Sequence, residues 1–184
     1  LGGGLTVEKL YIQKGAFSDR LNRLVAEARK QNIRVQFTDK EALDRMSEAK
    51  RHQGAIAVVT EFVYANFDAL TEAACSDKAP VLFVLLEGVE DPHNLGAVIR
   101  VADCAGATGV VIPKHRNATV NETAIRTSAG AAAYVPIAKV TNINDAVRKL
   151  KDMGVTVYAA DMDGASVYET DLTGNVAIVI GGEG

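Results

Sequence analysis

Two cysteines and three histidines in 184 residues leave little material for disulfide or metal chemistry. Cys75 and Cys104 make no disulfide framework, and His52, His93 and His115 stand at no metal-ligand spacing, so no metal is expected. Each cysteine reads as a small buried hydrophobe. No apolar run approaches the ~20 residues of a membrane helix, and the opening Leu1-Gly-Gly-Gly has neither the charge nor the apolar stretch of a signal region. A cytoplasmic location is the resulting expectation. Gly-x-Gly-x-x-Gly and a phosphate-binding lysine loop are also absent, which counts against the common nucleotide-binding α/β domains. Nor is positive charge in excess: the net charge of −3 argues against a generic nucleic-acid binder, whose phosphate contacts need clustered Lys and Arg. The halves differ, however. Residues 1–75 hold 11 Lys+Arg against 10 Asp+Glu, a net of +1, and residues 76–184 hold 9 against 13, a net of −4. Any nucleic-acid contact is therefore expected in the first half, through local patches.

What is present is a core-forming composition, 48% hydrophobic, enough for one domain or two small ones. The chain is organised around Val81 to Arg100. The unbroken apolar run Val81 to Leu86 reads as a strand buried on both faces, the habit of parallel sheets. An acidic turn with Pro92 follows, and Asn94 stands where a helix cap would stand. Leu95, Val98, Ile99 and Ala102 then form one helical stripe that packs on the sheet, leaving Arg100 to project elsewhere. This places Asn94 and Arg100 near the carboxyl end of a strand, the usual place for a site in an open α/β sheet. Strands over 81–86, 109–112, 134–138, 155–160 and 176–180 alternate with helices over 95–105, 120–128 and 143–152. The pattern predicts a parallel sheet covered on both sides with right-handed crossovers.

The first part reads as a β-α-β-α-β module. Strands are expected over 7–14, 33–37 and 54–60, with a helix capped by Ser18 and striped by Leu21, Leu24, Val25 and Ala28. A second helix has Thr38 and Glu41 at capping-box spacing and Ala42, Leu43 and Met46 inward. The polar loop Ser47 to Gln53 holds Lys50, Arg51, His52 and Gln53, the candidate nucleic-acid-contacting residues. An ordinary solvated loop explains them equally, and His52 reads equally as a structural residue satisfying a backbone group at a strand start. The domains are thus 1–62, a linker over 63–79 with a short helix capped by Asn66, and 80–184.

Asp91-Pro-His-Asn-Leu-Gly-Ala-Val-Ile-Arg100 resembles the first motif of the SpoU family of RNA ribose 2′-O-methyltransferases, in the knotted methyltransferase superfamily. Ala102-Asp-Cys-Ala-Gly106 with Val110-Val-Ile-Pro-Lys114, and Val176-Ala-Ile-Val-Ile-Gly-Gly-Glu-Gly184, match in order and spacing. The resemblance implies an α/β fold with a small, ribosomal-protein-like RNA-binding module ahead of a parallel-sheet methyltransferase domain with a trefoil knot. It implies S-adenosylmethionine as cofactor and a homodimer paired through the knotted domain. The substrate would be RNA, 23S ribosomal RNA ahead of transfer RNA. Family members begin with a helix for which Leu1-Gly-Gly-Gly offers no counterpart. They also continue past Gly-Glu-Gly with an arginine-bearing helix and a Ser-Leu-Asn-Val-Ser stretch that completes the knot. On that pattern the knot is expected to be incomplete over 80–184, with poor cofactor affinity.

Methyl transfer to a ribose hydroxyl needs in-line geometry and something to remove a proton or stabilise the oxyanion. By resemblance Arg100 takes that role. A guanidinium essentially never deprotonates, so electrostatic stabilisation and a bidentate grip on phosphate suit it better than base catalysis. The competing reading is a surface arginine paired with Glu87, Glu90 or Asp91. Asn94 is a helix cap, a group holding Arg100 or the ribose, or both. His93 is read as a neutral surface imidazole. The resemblance assigns Gly181, Gly182 and Gly184 to the cofactor, with Ala159 and Ala160 as the facing wall, and Glu183 to catalysis. Thr127-Ser128-Ala129-Gly130 approaches substrate or serves helix packing. A non-catalytic RNA-binding protein with the same two modules is the alternative from another class.

Overall fold

The structure, a computed structural model, describes residues 4–16, 18–47, 52–77 and 79–182. Two compact units emerge, Leu5–Glu61 and Phe62 onward, the latter joined by Gly4.

In the first unit β1 (Val7–Gln13) lies between β2 (Arg34–Thr38), parallel to it, and β3 (Ala55–Val59), antiparallel to it. Helix α1 (Asp19–Lys30) is capped by Ser18, whose hydroxyl accepts from the Leu21 amide. Leu10, Ile12, Leu21 and Ala28 form the core under it. Leu24, expected in that stripe, is 41% exposed: a three-stranded sheet is too narrow to cover a whole helical face. Helix α2 (Lys40–Met46) starts after Asp39, with no side-chain cap bond, so the expected Thr38–Glu41 box is not formed. Leu43 is its one buried residue, and Met46 lies at the surface.

The second unit contains α3 (Phe67–Ser76), β4 (Leu82–Glu87), α4 (Pro92–Cys104), β5 (Gly109–Pro113), α5 (Glu122–Thr127), β6 (Ile137–Val140), α6 (Ile143–Asp152), β7 (Thr156–Ala159) and β8 (Val176–Gly181). All five strands are parallel, in the order β6-β5-β4-β8-β7. Alternation in β4 supplies both faces: Val84 and Leu86 pack with Leu95, Ile99 and Ala102 of α4, while Phe83 and Leu85 pack with Leu70 of α3 and Ile143, Ala146 and Leu150 of α6. Each fully buried Leu, Ile or Phe among them contributes about 1.5–3 kcal/mol.

The stretch 63–79, read as a linker, belongs to this unit. The Ala65 amide donates to the Ile137 carbonyl at 2.8 Å, and the Tyr64 hydroxyl accepts from the Val120 amide at 2.9 Å. Lys149 of α6 donates to Asp68 at 2.8 Å, tying α6 to α3, and that bond above all raises the lysine's pKa. β6 starts three residues later than expected, because Gly130, at φ 96°, opens a 3-10 turn over Ala131–Ala133 and leaves Tyr134 81% exposed. Cys75 is half-buried, which pushes its thiol pKa up, and Cys104 is exposed, so neither is the fully buried hydrophobe expected. Among the described residues no helix is long and apolar enough to cross a membrane, and no three His, Cys, Asp or Glu side chains gather to hold a metal.

Gly96 lets α4 and α5 touch. A Cβ there would sit 2.5 Å from the Ala124 carbonyl oxygen and 2.7 Å from the Thr127 Cβ. Ser128 belongs to the same packing, 1% exposed with its hydroxyl donating to the Ile125 carbonyl. Gly96→Ala gains about 1 kcal/mol of helix propensity but meets backbone that cannot rotate away, at a cost of about 1–3 kcal/mol and upward. The variant is expected to unfold at lower temperature than the parent, by differential scanning calorimetry. An unchanged midpoint would mean that α5 yields freely.

Candidate active site

The strand order dictates where a site belongs. From β4 the chain moves outward through β5 to β6, crosses by α6 to the far edge at β7, and returns to the centre as β8. Strand order therefore reverses between β4 and β8, and ligands in open α/β sheets bind in the crevice outside the carboxyl ends at such a reversal.

Three segments meet there. β4 ends at Glu87, and Gly88 turns the chain at φ 74°. Asp91 then caps α4, its carboxylate accepting from the His93 amide at 2.8 Å, with Pro92 at the first helical position. The expected cap, Asn94, is instead the third residue inside the helix. Asp91-Pro92 starts the helix earlier because an acidic cap followed by a residue with no N–H and a preset φ suits a helix start better. From the other side, β8 ends at Gly181, and the Gly182 amide donates to the Glu87 carbonyl at 2.6 Å. A Cβ on Gly182 would overlap the Gly88 carbonyl, so two glycines let the two strand ends cross. The third segment follows β5. Asn117 accepts from the Val89 amide at 2.9 Å through its side-chain oxygen, and the Ala118 amide donates to the Val89 carbonyl at 2.7 Å.

These segments enclose a cleft of about 670 Å³ lined by Glu87, Glu90, Asn94, Val98, Arg116, Ile180, Gly181 and Gly182, among others. Beside it, at the end of β7, is a second cavity of about 380 Å³. Tyr158, Ala159, Ala160, Leu172 and Ile178 line it. The residues between β7 and β8 are pinned over this cavity by the Tyr158 hydroxyl, which donates to the Asp171 carbonyl at 2.8 Å. Ala160 donates its amide to Val179 of β8 at 2.9 Å, so the two cavities open at neighbouring strand ends.

The structure thus brings Asn94, Gly181 and Gly182 together and places Ala159 and Ala160 next door. Arg100 is not among the residues lining the cleft. It is exposed on α4, six residues beyond Asn94, a rise of about 9 Å and roughly 120° round the helix. It forms no hydrogen bond or ion pair with any described residue, so the pairing with Glu87, Glu90 or Asp91 is not made. Helical side chains lean toward the amino end, which directs Arg100 toward the cleft end of α4. His93 bonds to the Thr127 hydroxyl at 3.2 Å. Glu183 and Gly184 lie outside the described residues, as do Lys50 and Arg51.

Of the two readings of His52, the structural one holds and the RNA contact does not. Its side chain is 5% exposed, with Nε2 3.1 Å from Asp44 and Nδ1 accepting from the Gly54 amide at 3.0 Å. The imidazole holds the start of β3 and does not face a ligand. Gln53, at φ 49°, accepts from Arg20 at 3.3 Å. The same unit has an open groove of about 470 Å³ lined by Lys14, Asn22, Arg29 and the 47%-exposed Phe37, among others. The sequence reading passed over that groove, and it passed over Arg116.

Comparison with known proteins addresses the same two units. The profile of the SpoU rRNA Methylase family matches residues 81–184, more than half the chain. That of RNA 2′-O ribose methyltransferase substrate binding matches residues 1–65. A protein of Xanthomonas campestris pv. campestris, the 23S rRNA (guanosine-2′-O-)-methyltransferase RlmB, is 42% identical over 182 residues, 97% of this chain and 72% of its own length. A TrmH family tRNA/rRNA methyltransferase of Staphylococcus haemolyticus is 37% identical over 183 residues, 98% of this chain and 73% of its own. In fold, the chain is similar to the SpoU methyltransferase AviRb from Streptomyces viridochromogenes, solved in complex with AdoMet. The TM-score is 0.72 at 22% identity, over 98% of this chain and 68% of that one. With its family profile and its relatives in agreement, this chain belongs to the SpoU rRNA methylase family.

Proposed function

We propose that this protein transfers a methyl group from S-adenosylmethionine to a ribose 2′-hydroxyl in 23S ribosomal RNA. The observation that carries the reading is the crevice between β4 and β8, where Asn94 and the Gly88–Gly182 crossing share one cleft, in a chain 42% identical to a 23S rRNA guanosine-2′-O-methyltransferase.

The residues present fit the cofactor. The cavity at Ala159 and Ala160 is small-walled and largely apolar, suited to an adenosine. A Cβ on Gly181 would meet nothing within 4 Å, so that position is open to a ligand. Glu87 and Glu90 give the adjoining cleft a negative lining that suits a positively charged sulfonium. When bound, S-adenosylmethionine supplies an electrophilic methyl group on a good leaving group. What the chain must add is position and charge. The Asn94 amide holds the ribose at the carboxyl end of β4. The Arg100 guanidinium comes over the amino-terminal turns of α4 to stabilise the alkoxide as its proton leaves to water, remaining protonated throughout. The Leu5–Glu61 unit holds 11 Lys+Arg against 8 Asp+Glu, a net of +3, leaving −6 for the remainder of the chain. RNA therefore contacts this unit, with Lys14, Arg29 and the exposed ring of Phe37 replacing His52 as contacts. We place the protein in the cytoplasm with its substrate, as a homodimer in which the 63%-exposed Val101 beside Arg100 lies at the contact.

The test is transfer of a labelled methyl group to total ribosomal RNA, followed by nuclease digestion. The label is expected in a ribose-methylated nucleotide from 23S RNA. Label appearing only in transfer RNA would change the substrate. RNA binding with no transfer to either RNA would make this a binding protein and refute the enzymatic reading.

A further inference from the structure

Arg116 has no part in the reaction as described above, yet the fold takes trouble to place it. β5 ends at Pro113, and the turn that follows puts Arg116 at φ 55°, a backbone conformation that residues other than glycine rarely adopt. The turn is held from the next residues: Asn117 and Ala118 take up both backbone groups of Val89, in the turn that leaves β4. This double link fixes the position of a strained residue at the rim of the cleft. The side chain is exposed and forms no hydrogen bond or ion pair with any described residue. Among the described residues lining the cleft it is the one cation, in a lining that also holds Glu87 and Glu90. Two carboxylates in the lining would repel the phosphates flanking any ribose that enters, and a single guanidinium at a fixed point offsets them.

We infer that Arg116 binds the backbone phosphate next to the ribose that enters the cleft. The inference rests on the function proposed above and deepens it. A guanidinium presents a planar pair of donors to a phosphate, and its fixed base sets the register of the strand against Asn94. The cofactor also carries an anion, its carboxylate, but the adenosine cavity lies at β7, on the opposite flank of β4 and β8 from the β5 turn. β5 and β7 are three strand spacings apart, about 14 Å. Position therefore favours the RNA.

The test uses the full chain with Arg116→Ala and Arg116→Lys, measuring RNA affinity from low to high salt, cofactor affinity by calorimetry, and transfer kinetics. Arg116→Ala is expected to weaken RNA binding about tenfold, to raise KM for RNA more than it lowers kcat, and to reduce the slope of log affinity against log salt by about 1. Cofactor affinity is expected to stay within about twofold. Arg116→Lys restores the salt slope but not the full affinity, because the charge returns without the fork. Should alanine disturb the turn, Arg116→Asn removes the charge with a side chain that tolerates the left-handed backbone. An unchanged salt slope and KM would overturn the inference. So would a loss confined to cofactor affinity, which would assign the guanidinium to the cofactor's carboxylate. If the parent protein transfers no methyl group but the salt slope still falls in the alanine variant, the enzymatic reading fails and the phosphate contact stands.

Discussion

Arg100→Ala is expected to slow methyl transfer by about 10²–10³-fold, the usual loss when one donor to a developing oxyanion is removed, or about 2.7–4 kcal/mol of transition-state stabilisation. The protein should fold as before. Arg100 is an exposed residue on α4 with no described partner, so its loss orphans no buried group, and surface changes of that kind stay within about 0.5 kcal/mol. Cofactor affinity should also hold, because none of the residues proposed to bind it lies on α4. Lysine at this position keeps the charge and loses the paired donors, so Arg100→Lys is expected to recover part of the rate. Single-turnover kinetics with saturating RNA reports the chemical step directly. A variant transferring at the parent's rate would show that the guanidinium stays where the free structure has it, outside the cleft lining, and that another group stabilises the oxyanion.

The second large effect is at the glycine crossing. Gly182→Ala would put a Cβ into the carbonyl of Gly88, backbone against backbone, with no flexible side chain to give way. The ends of β4 and β8 must part, and the bond from the Gly182 amide to the Glu87 carbonyl goes with them. Overpacking of this kind costs about 1–3 kcal/mol, and here it also deforms the wall shared by donor and acceptor. Transfer is expected to fall at least as far as in Arg100→Ala, with cofactor affinity down by more than tenfold. Gly181→Ala is the control, since its Cβ would meet no protein atom within 4 Å. It should leave the melting temperature unchanged while intruding only on ligand. If both variants melt and bind alike, the crossing does not shape the site.

Much of this architecture was legible in the sequence. The run ending in Leu86 and the stripe of Leu95, Ile99 and Ala102 announced a strand buried on both faces and the helix packed upon it, because burial leaves a periodic trace. What was misread depended on competition or on distance. Asn94 was read as the cap although Asp91-Pro92 is a stronger start signal three residues earlier, and the cap geometry decides in favour of Asp91. Leu24 and Met46 have the right spacing for a core, but a three-stranded sheet cannot cover everything that spacing offers. For His52 the sequence left an RNA contact and a structural role at a strand start equally open, and only the fold, which brings Asp44 and the Gly54 amide to its two nitrogens, decides for the second. Arg116 was invisible for the same reason. Its place depends on bonds from Asn117 and Ala118 to Val89, 28 and 29 residues away in the chain, and no local pattern encodes them. The one usable hint was that it follows the strand next to β4, at the end of the sheet where sites gather.

The position of β8 has a consequence for how the molecule comes into being. It is the last strand of the described chain, yet it inserts between β4 and β7 and pairs with both. A ribosome delivers β4 roughly ninety residues before the strand that completes it, which at about 5–20 residues per second leaves one edge bare for several seconds. Over that interval an apolar strand offers unpaired amides and carbonyls to any other chain nearby. Synthesis is thus the period of greatest exposure to aggregation, and it ends only when the segment that builds one wall of the crevice slots in between β4 and β7.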